Sequence, residues 1–249
     1  MITESVVVDV SQDWMAACGL QERFMEIPCA GTQRITYHAR CRQMQALGGD
    51  CFHFVPLPGR RVALAVADAS GKGLPAALII ANVQSSLHTA ALFAPEDPAA
   101  VVSAVNRQLH ACSPVERYAT LFYGVFDENR RTLHYVNAGQ NPAVVIRQGR
   151  AVTWLEASAP AVGLFAGTVY QSHAVRLYPG DLIVAYTDGI VEATNKAGEE
   201  WGVDGLLAAV KCCRTRQPES VVEAAFAALD EFSGGNQTDD ATMLVALVH

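Results

Sequence analysis

The residues of this chain best suited to chemistry are aspartates at the ends of apolar runs. Asp50 follows Gly48-Gly49 and opens one run; Asp68 closes the next, after Val62-Ala63-Leu64-Ala65-Val66-Ala67. The turn Pro58-Gly59-Arg60 lies between them, and position 59 is the midpoint of 50 and 68. A symmetric hairpin therefore sets the two aspartates opposite each other on one face, with Cβ atoms about 4.5–5.5 Å apart. Two carboxylates at that separation repel unless something positive sits between them. Asp188 ends a third run, Leu182-Ile183-Val184-Ala185-Tyr186-Thr187, and Asp239-Asp240 precede a last one from Ala241. Any one of these reads equally as a plain turn; their recurrence at strand ends is the informative part. Hard divalent cations such as Mg2+ or Mn2+ take such oxygen ligands. Two of them about 3.5–4 Å apart can activate a water and polarise a phosphoryl group.

Strands and helices must bring these aspartates together. Short apolar segments punctuated by Gly and Pro predict strands over Arg34–Cys41, Cys51–Leu57, Val62–Ala67, Ala119–Asp127, Thr132–Asn137, Ala143–Arg147 and Ala151–Leu155. Later strands are expected over Gln171–Leu177, Leu182–Thr187 and Ala241–Val248. Helices are predicted from Leu74 to about Phe93, with Pro75 in the first turn, and from Asp97-Pro98 to about Cys112. A second pair is expected over Val203–Arg214 and Pro218–Phe232, closed by Gly234. Val62, Leu64 and Val66 alternate with Ala63, Ala65 and Ala67, so both faces of that strand are apolar and covered. The expected fold is α+β: a four-layer α/β/β/α sandwich of two mostly antiparallel sheets flanked by helix pairs. Residues 1–32 read as a short, irregular or partly helical lead-in with an apolar stripe of Trp14, Met15, Leu20, Phe24 and Met25, and 33–249 as one domain.

Composition excludes several classes. Of 249 residues 51% are hydrophobic and 17% charged, which rules out a disordered chain. Acidic residues outnumber basic ones, 25 to 18, for a net charge of −7, which argues against a nucleic-acid binder. No run of about 18 apolar residues suggests a membrane span, and the amino terminus, with Glu4 and no basic start, is not a secretory signal. Seven cysteines without a C-x-x-C pair read as free thiols, which places the chain in the cytoplasm.

Five segments in order carry a family resemblance. They are Gly48-Gly49-Asp50, Asp68-Ala69-Ser70-Gly71-Lys72-Gly73-Leu74-Pro75-Ala76-Ala77, Asn137-Ala138-Gly139-Gln140-Asn141-Pro142, Thr187-Asp188-Gly189-Ile190-Val191-Glu192-Ala193 and Thr238-Asp239-Asp240-Ala241-Thr242. Across roughly residues 33–249 the chain resembles the SpoIIE/RsbU-type branch of the PPM metal-dependent serine/threonine protein phosphatases. The resemblance implies a centre of two Mn2+ or Mg2+ ions that hydrolyses phosphoserine or phosphothreonine through a metal-activated water. It makes Asp68 the bridging ligand and the Ala69 carbonyl a further one. Asp50 binds metal or its water, and Asp188 and Asp239 hold the other ion. Asp240 stands behind the ligands.

Three departures from the family pattern stand out. Ala69 replaces the Val usual in the branch, and Cys51-Phe52-His53 stands where the branch favours aromatic-Tyr-Asp. The wider superfamily has a His two residues after the bridging Asp; here that position is Ser70, too weakly acidic for the task. His53 or a metal-bound water remain as donors, and Lys72 is a candidate phosphate contact. In this branch the usual substrate is a phosphorylated anti-sigma-factor antagonist, a STAS-domain protein, in a partner-switching pathway. With about 32 residues before the catalytic pattern, control is expected from an activator protein or an upstream module, acting through the helix from Leu74. The competing readings are a non-catalytic docking module of the same fold and a two-metal hydrolase of small phosphates. No G-x-S-x-G elbow, P-loop, cysteine-phosphatase loop or H-E-x-x-H supports another hydrolase.

Overall fold

The computed structural model describes residues 10–25, 31–114, 116–148 and 151–249. Ten strands form two five-stranded sheets, and every ladder within them is antiparallel. The first sheet holds β1 (Ile35–Arg42), β10 (Ala241–Val248), β9 (Leu182–Tyr186), β6 (Ala143–Ile146) and β7 (Val152–Leu155), in that spatial order. The second holds β2 (Asp50–Leu57), β3 (Arg61–Ala69), β4 (Ala119–Asp127), β5 (Thr132–Ala138) and β8 (His173–Arg176). Helices α2 (Leu74–Phe93) and α3 (Pro98–Cys112) cover the second sheet; α5 (Gly202–Cys212) and α6 (Pro218–Ser233) cover the first. The expected four-layer sandwich is the observed one, with boundaries that coincide or are displaced by one or two residues.

Alternation along the strands builds three apolar layers. On β3, Val62, Leu64 and Val66 point between the sheets, where they meet Phe122, Phe126, Ile183, Leu244 and Ala246. Ala63, Ala65 and Ala67 point the other way, and their small side chains let Ile80, Val83 and Leu87 of α2 settle onto the sheet. The α5–α6 layer closes over the outer faces of β9 and β10 through Leu206, Val222, Phe226 and Leu229. Local chemistry sets the helix ends. Asp97 accepts a hydrogen bond from the Ala100 N–H at 3.0 Å, Pro98 occupies the first turn of α3, and Gly234 ends α6 with a left-handed φ of 66°.

Three details go beyond the expectations. The segment before residue 33 contains a regular helix, α1 (Val10–Phe24), whose buried side chain is polar Gln21; Trp14, Met15, Leu20 and Phe24 are each more than a third exposed. Its flanks, with Glu4 and Cys29, lie outside the described residues. Asp188 does not merely end a strand; it begins a one-turn helix, α4 (Asp188–Val191). By length and composition alone, α2 passes the test for a helix that crosses a membrane, as core helices also do. It behaves as a core helix, with Ala76, Ile80, Val83, Leu87 and Ala91 packed toward β2, β3 and α3. The six described cysteines are free thiols.

Leu64 is fully buried between the sheets. Truncation of such a leucine costs about 2–5 kcal/mol through lost transfer energy and a cavity. Leu64→Ala is therefore expected to lower the urea-unfolding free energy by that amount, and a loss under 1 kcal/mol would contradict this packing.

Candidate metal centre

The β2–β3 hairpin has the register that its sequence symmetry implies: Asp50 pairs with Asp68, and each step inward stays aligned to Leu57 opposite Arg61. Both aspartates share the face of Phe52, Phe54, Leu64 and Val66, so both look toward the other sheet. The first sheet answers with two threonines. Thr187 and Thr242 each donate a hydroxyl hydrogen bond of 2.7 Å to one carboxylate oxygen, Oδ2 of Asp50, and the Thr242 N–H donates to Thr187 Oγ1 at 2.9 Å. Thr187 follows β9 and Thr242 lies in β10, so this buried knot ties the sheets together at one end.

The remaining carboxylates gather around it. Asp240 is buried and accepts N–H bonds from Met44 at 2.7 Å and from Gly49 at 2.6 Å, which fixes the loop ahead of Asp50. Asp239 lies at the surface side, its Oδ2 2.7 Å from Lys72 Nζ; that ammonium also donates to the Thr238 carbonyl at 3.0 Å. Close approach explains two glycines. A Cβ on Gly48 would lie 2.6 Å from Asp240 Oδ2, and one on Gly189 would lie 2.0 Å from the Asp240 carbonyl oxygen. Any larger residue at either place would push the acidic loops apart. Ala69 closes the arrangement from below: its N–H donates to the Gly49 carbonyl at 2.9 Å.

Crowding like charges shows in their proton affinities. Burial pushes Asp50 and Asp68 well above the usual carboxylate range. For Asp68 the charges of Asp50, Asp188, Asp239 and Asp240 add to the shift; for Asp50, hydrogen bonds from Thr242 and Thr187 oppose it. Asp188 is raised by burial and then by Asp239. Among the described residues no three His, Cys, Asp or Glu side chains close into a compact metal-binding group. Carboxylate oxygens are the donors that a hard dication selects, and the Lys72 ammonium beside Asp239 is a neighbouring cation, not a ligand.

Not every candidate joins this pole. His53 lies on the other face of β2, where Gln84 Nε2 is 3.1 Å from its Nδ1 and His88 Nδ1 is 2.9 Å from its Nε2. Burial lowers its pKa to about 4. The Ser70 hydroxyl donates to the Glu116 carbonyl at 3.3 Å and accepts from the Tyr118 N–H at 3.1 Å, bracing the loop after β3. The segment from Asn137 holds no ligand either: its amide donates to the Leu155 carbonyl at 3.0 Å and joins the sheets. Thr187, Thr242 and Gln21 were missed as supports. Gln21 makes a two-way bond with Gly48, donating to its carbonyl at 2.8 Å and accepting from its N–H at 3.1 Å. The threonines stand inside the quoted segments, but only the sheet-to-sheet contact reveals their role.

Comparison with known proteins agrees with this architecture. The sequence model of the stage II sporulation protein E (SpoIIE) family matches residues 58–249. The chain is 28% identical over 156 residues to phosphoserine phosphatase RsbU of Bacillus subtilis, covering 61% of this chain and 45% of that protein. It is 28% identical over 127 residues to protein IcfG of Synechocystis, covering 51% and 20%. The chain spans less than half the length of these curated relatives. Among solved structures, the SiaA-PP2C domain of Pseudomonas aeruginosa superposes with a TM-score of 0.83 at 20% identity, over 96% of this chain and 97% of that one. That likeness establishes the PP2C-type fold.

The raised carboxylates make a pH prediction. Folded Asp68 holds its proton to higher pH than the unfolded chain, whose carboxylates titrate near pH 4. The folded state therefore binds more protons above that value, and stability falls as pH rises through the folded pKa. His53 acts in the opposite sense below about pH 6.5, so the comparison is made against Asp68→Asn, which keeps His53. In EDTA, the wild type is expected to lose urea stability relative to Asp68→Asn between pH 5 and 8. A constant difference would contradict the crowded-carboxylate account.

Proposed function

Because the chain belongs to the stage II sporulation protein E (SpoIIE) family, we propose that it is a metal-dependent protein serine/threonine phosphatase acting at the acidic end of the sandwich. What supports this reading is the pairing of Asp50 with Asp68 on the inward face of the β2–β3 hairpin, tied by Thr187, Thr242 and Asp240 to the chain on either side of Asp188 and Asp239. In the proposed site the carboxylates of Asp50, Asp68, Asp188 and Asp239 and the Ala69 carbonyl hold two Mn2+ or Mg2+ ions. When bound, such ions supply Lewis acidity toward a phosphoryl group and lower the pKa of water.

The chain's own residues do the positioning. Thr187 and Thr242 hold one Asp50 oxygen and leave the other free to act. Asp240 keeps the Gly48-Gly49 loop in place without facing the phosphate. Lys72 is half exposed beside Asp239, where it meets a phosphate oxygen arriving from solvent. With Ser70 engaged in its loop and His53 on the other face of the sheet, neither protonates the leaving alkoxide, and water is the proton source. We further read the substrate as a phosphorylated STAS-domain protein of a partner-switching pathway, on the strength of the family resemblance. Relatives named phosphoserine phosphatase, RsbU and RsbP of Bacillus subtilis, support a phosphoprotein substrate.

Hydrolysis of p-nitrophenyl phosphate with Mn2+ tests the chemistry. Activity is expected to vanish with EDTA, and Asp68→Asn should lose more than the roughly 10–100-fold that changes in outer-shell partners cost. Metal-independent turnover, or full activity in Asp68→Asn, would sink the reading. A separate assay offers phosphorylated STAS-domain proteins and follows release of inorganic phosphate. Turnover of p-nitrophenyl phosphate with none of these proteins would remove the STAS substrate and leave the phosphatase standing.

A further inference from the structure

The end of the sandwich opposite the carboxylates gathers the opposite charge. The β2–β3 ladder runs from Asp50–Asp68 to Leu57–Arg61, roughly 24 Å at about 3.4 Å per residue. At its far end the Pro58–Arg60 turn meets the β4–β5 turn, the start of β1 and the end of β8. A cavity of about 360 Å³ opens there, lined by Arg34, Arg60, Arg130, Arg131 and Arg176, with Glu128 and Asn129. Five of the chain's 18 cations thus share one basin on a molecule of net charge −7.

Internal ion pairing does not account for them. Arg60 lies 3.5 Å from the buried Glu128 carboxylate, whereas Arg34, Arg130, Arg131 and Arg176 make no ion pair among the described residues. Backbone conformation adds an independent observation. Arg60 and Arg131 are the two non-glycine residues with positive φ among the described residues, 61° and 50°. Glycine or asparagine adopts that region with less strain. Arginine therefore stands at both turns at a conformational cost, and both side chains line the same basin.

The lining also defines the ligand. Among the described residues it contains no apolar or aromatic side chain to stack a base or bury a hydrocarbon. Recognition rests on guanidinium forks, which match phosphate oxygens in pairs. Five guanidiniums against one carboxylate leave a formal excess of four positive charges. A concave basin of this size suits a compact anion better than the flat face of an acidic protein. We propose that this basin is a binding site for a compact polyphosphate anion, a di- or triphosphate chain, separate from the metal centre.

The test is calorimetric titration of the full chain with inorganic triphosphate, beside sulfate at matched ionic strength. The wild type and Asp68→Asn are both expected to show one saturable site for triphosphate, with sulfate at least about tenfold weaker. The double variant Arg130→Gln/Arg176→Gln changes two exposed, unpaired side chains. It should weaken triphosphate at least about tenfold, the loss expected for charge-assisted hydrogen bonds, with an unligated melting temperature like the wild type's. Should that variant fold poorly, Arg34→Gln alone is expected to weaken binding several-fold. Binding abolished by Asp68→Asn but kept in the arginine variants would move the anion to the metal centre and overturn the proposal. So would sulfate binding as tightly as triphosphate, or no saturable binding at all.

Discussion

Everything at the acidic end depends on keeping carboxylates together that would otherwise separate. Asp50 is the fixed point. Its side chain is almost wholly buried, and one oxygen takes two threonine hydroxyls from the facing sheet at 2.7 Å each. Such bonds to an ionised acceptor are the strong kind, and they oppose the desolvation that would otherwise keep the group protonated. The same bonds stitch β2 to β9 and β10, so the sandwich closes at its acidic end through the group it has to restrain.

The rest of the fold supplies leverage for that knot. A flat hairpin sets Asp68 against Asp50, small alanines on β3 let α2 pack close, and α2 begins only five residues after Ala69. The loop between them is held on three sides: Ala69 bonds to Gly49, Ser70 to the segment 116–118, and Lys72 to Asp239. Gln21 of α1 adds a two-way bond to Gly48, and Asp240 bonds to Gly49 one residue on. Helix, loop and carboxylate are thereby joined by a short series of hydrogen bonds.

Local pattern made part of this legible in the sequence. The Asp50–Asp68 pairing follows from the position of one turn, and the sandwich from alternation with apolar residues on both faces. Strand ends differ from expectation by a residue or two because ladders continue into polar positions such as Arg61 and Asp68 once a partner strand is present. Contacts far apart in sequence were not legible. Thr187 and Thr242 are ordinary strand-end threonines until the sheets stack, and His53 becomes a helix-facing residue only once β2 is oriented. The sequence shows an apolar stripe in α1, yet burial there falls on Gln21, whose partner Gly48 lies 27 positions away. The arginines of the far end are scattered from 34 to 176 and meet only through four chain turns and ends.

The central claim is that Asp50, Asp68, Asp188 and Asp239 form one site for two divalent ions. Anomalous diffraction at the manganese edge, from crystals grown in Mn2+, tests it most directly. The account predicts two peaks at the acidic end, about 3.5–4 Å apart, with Asp68 touching both and the Ala69 carbonyl beside one. Peaks elsewhere, or none within reach of Asp68 under saturating Mn2+, would contradict it.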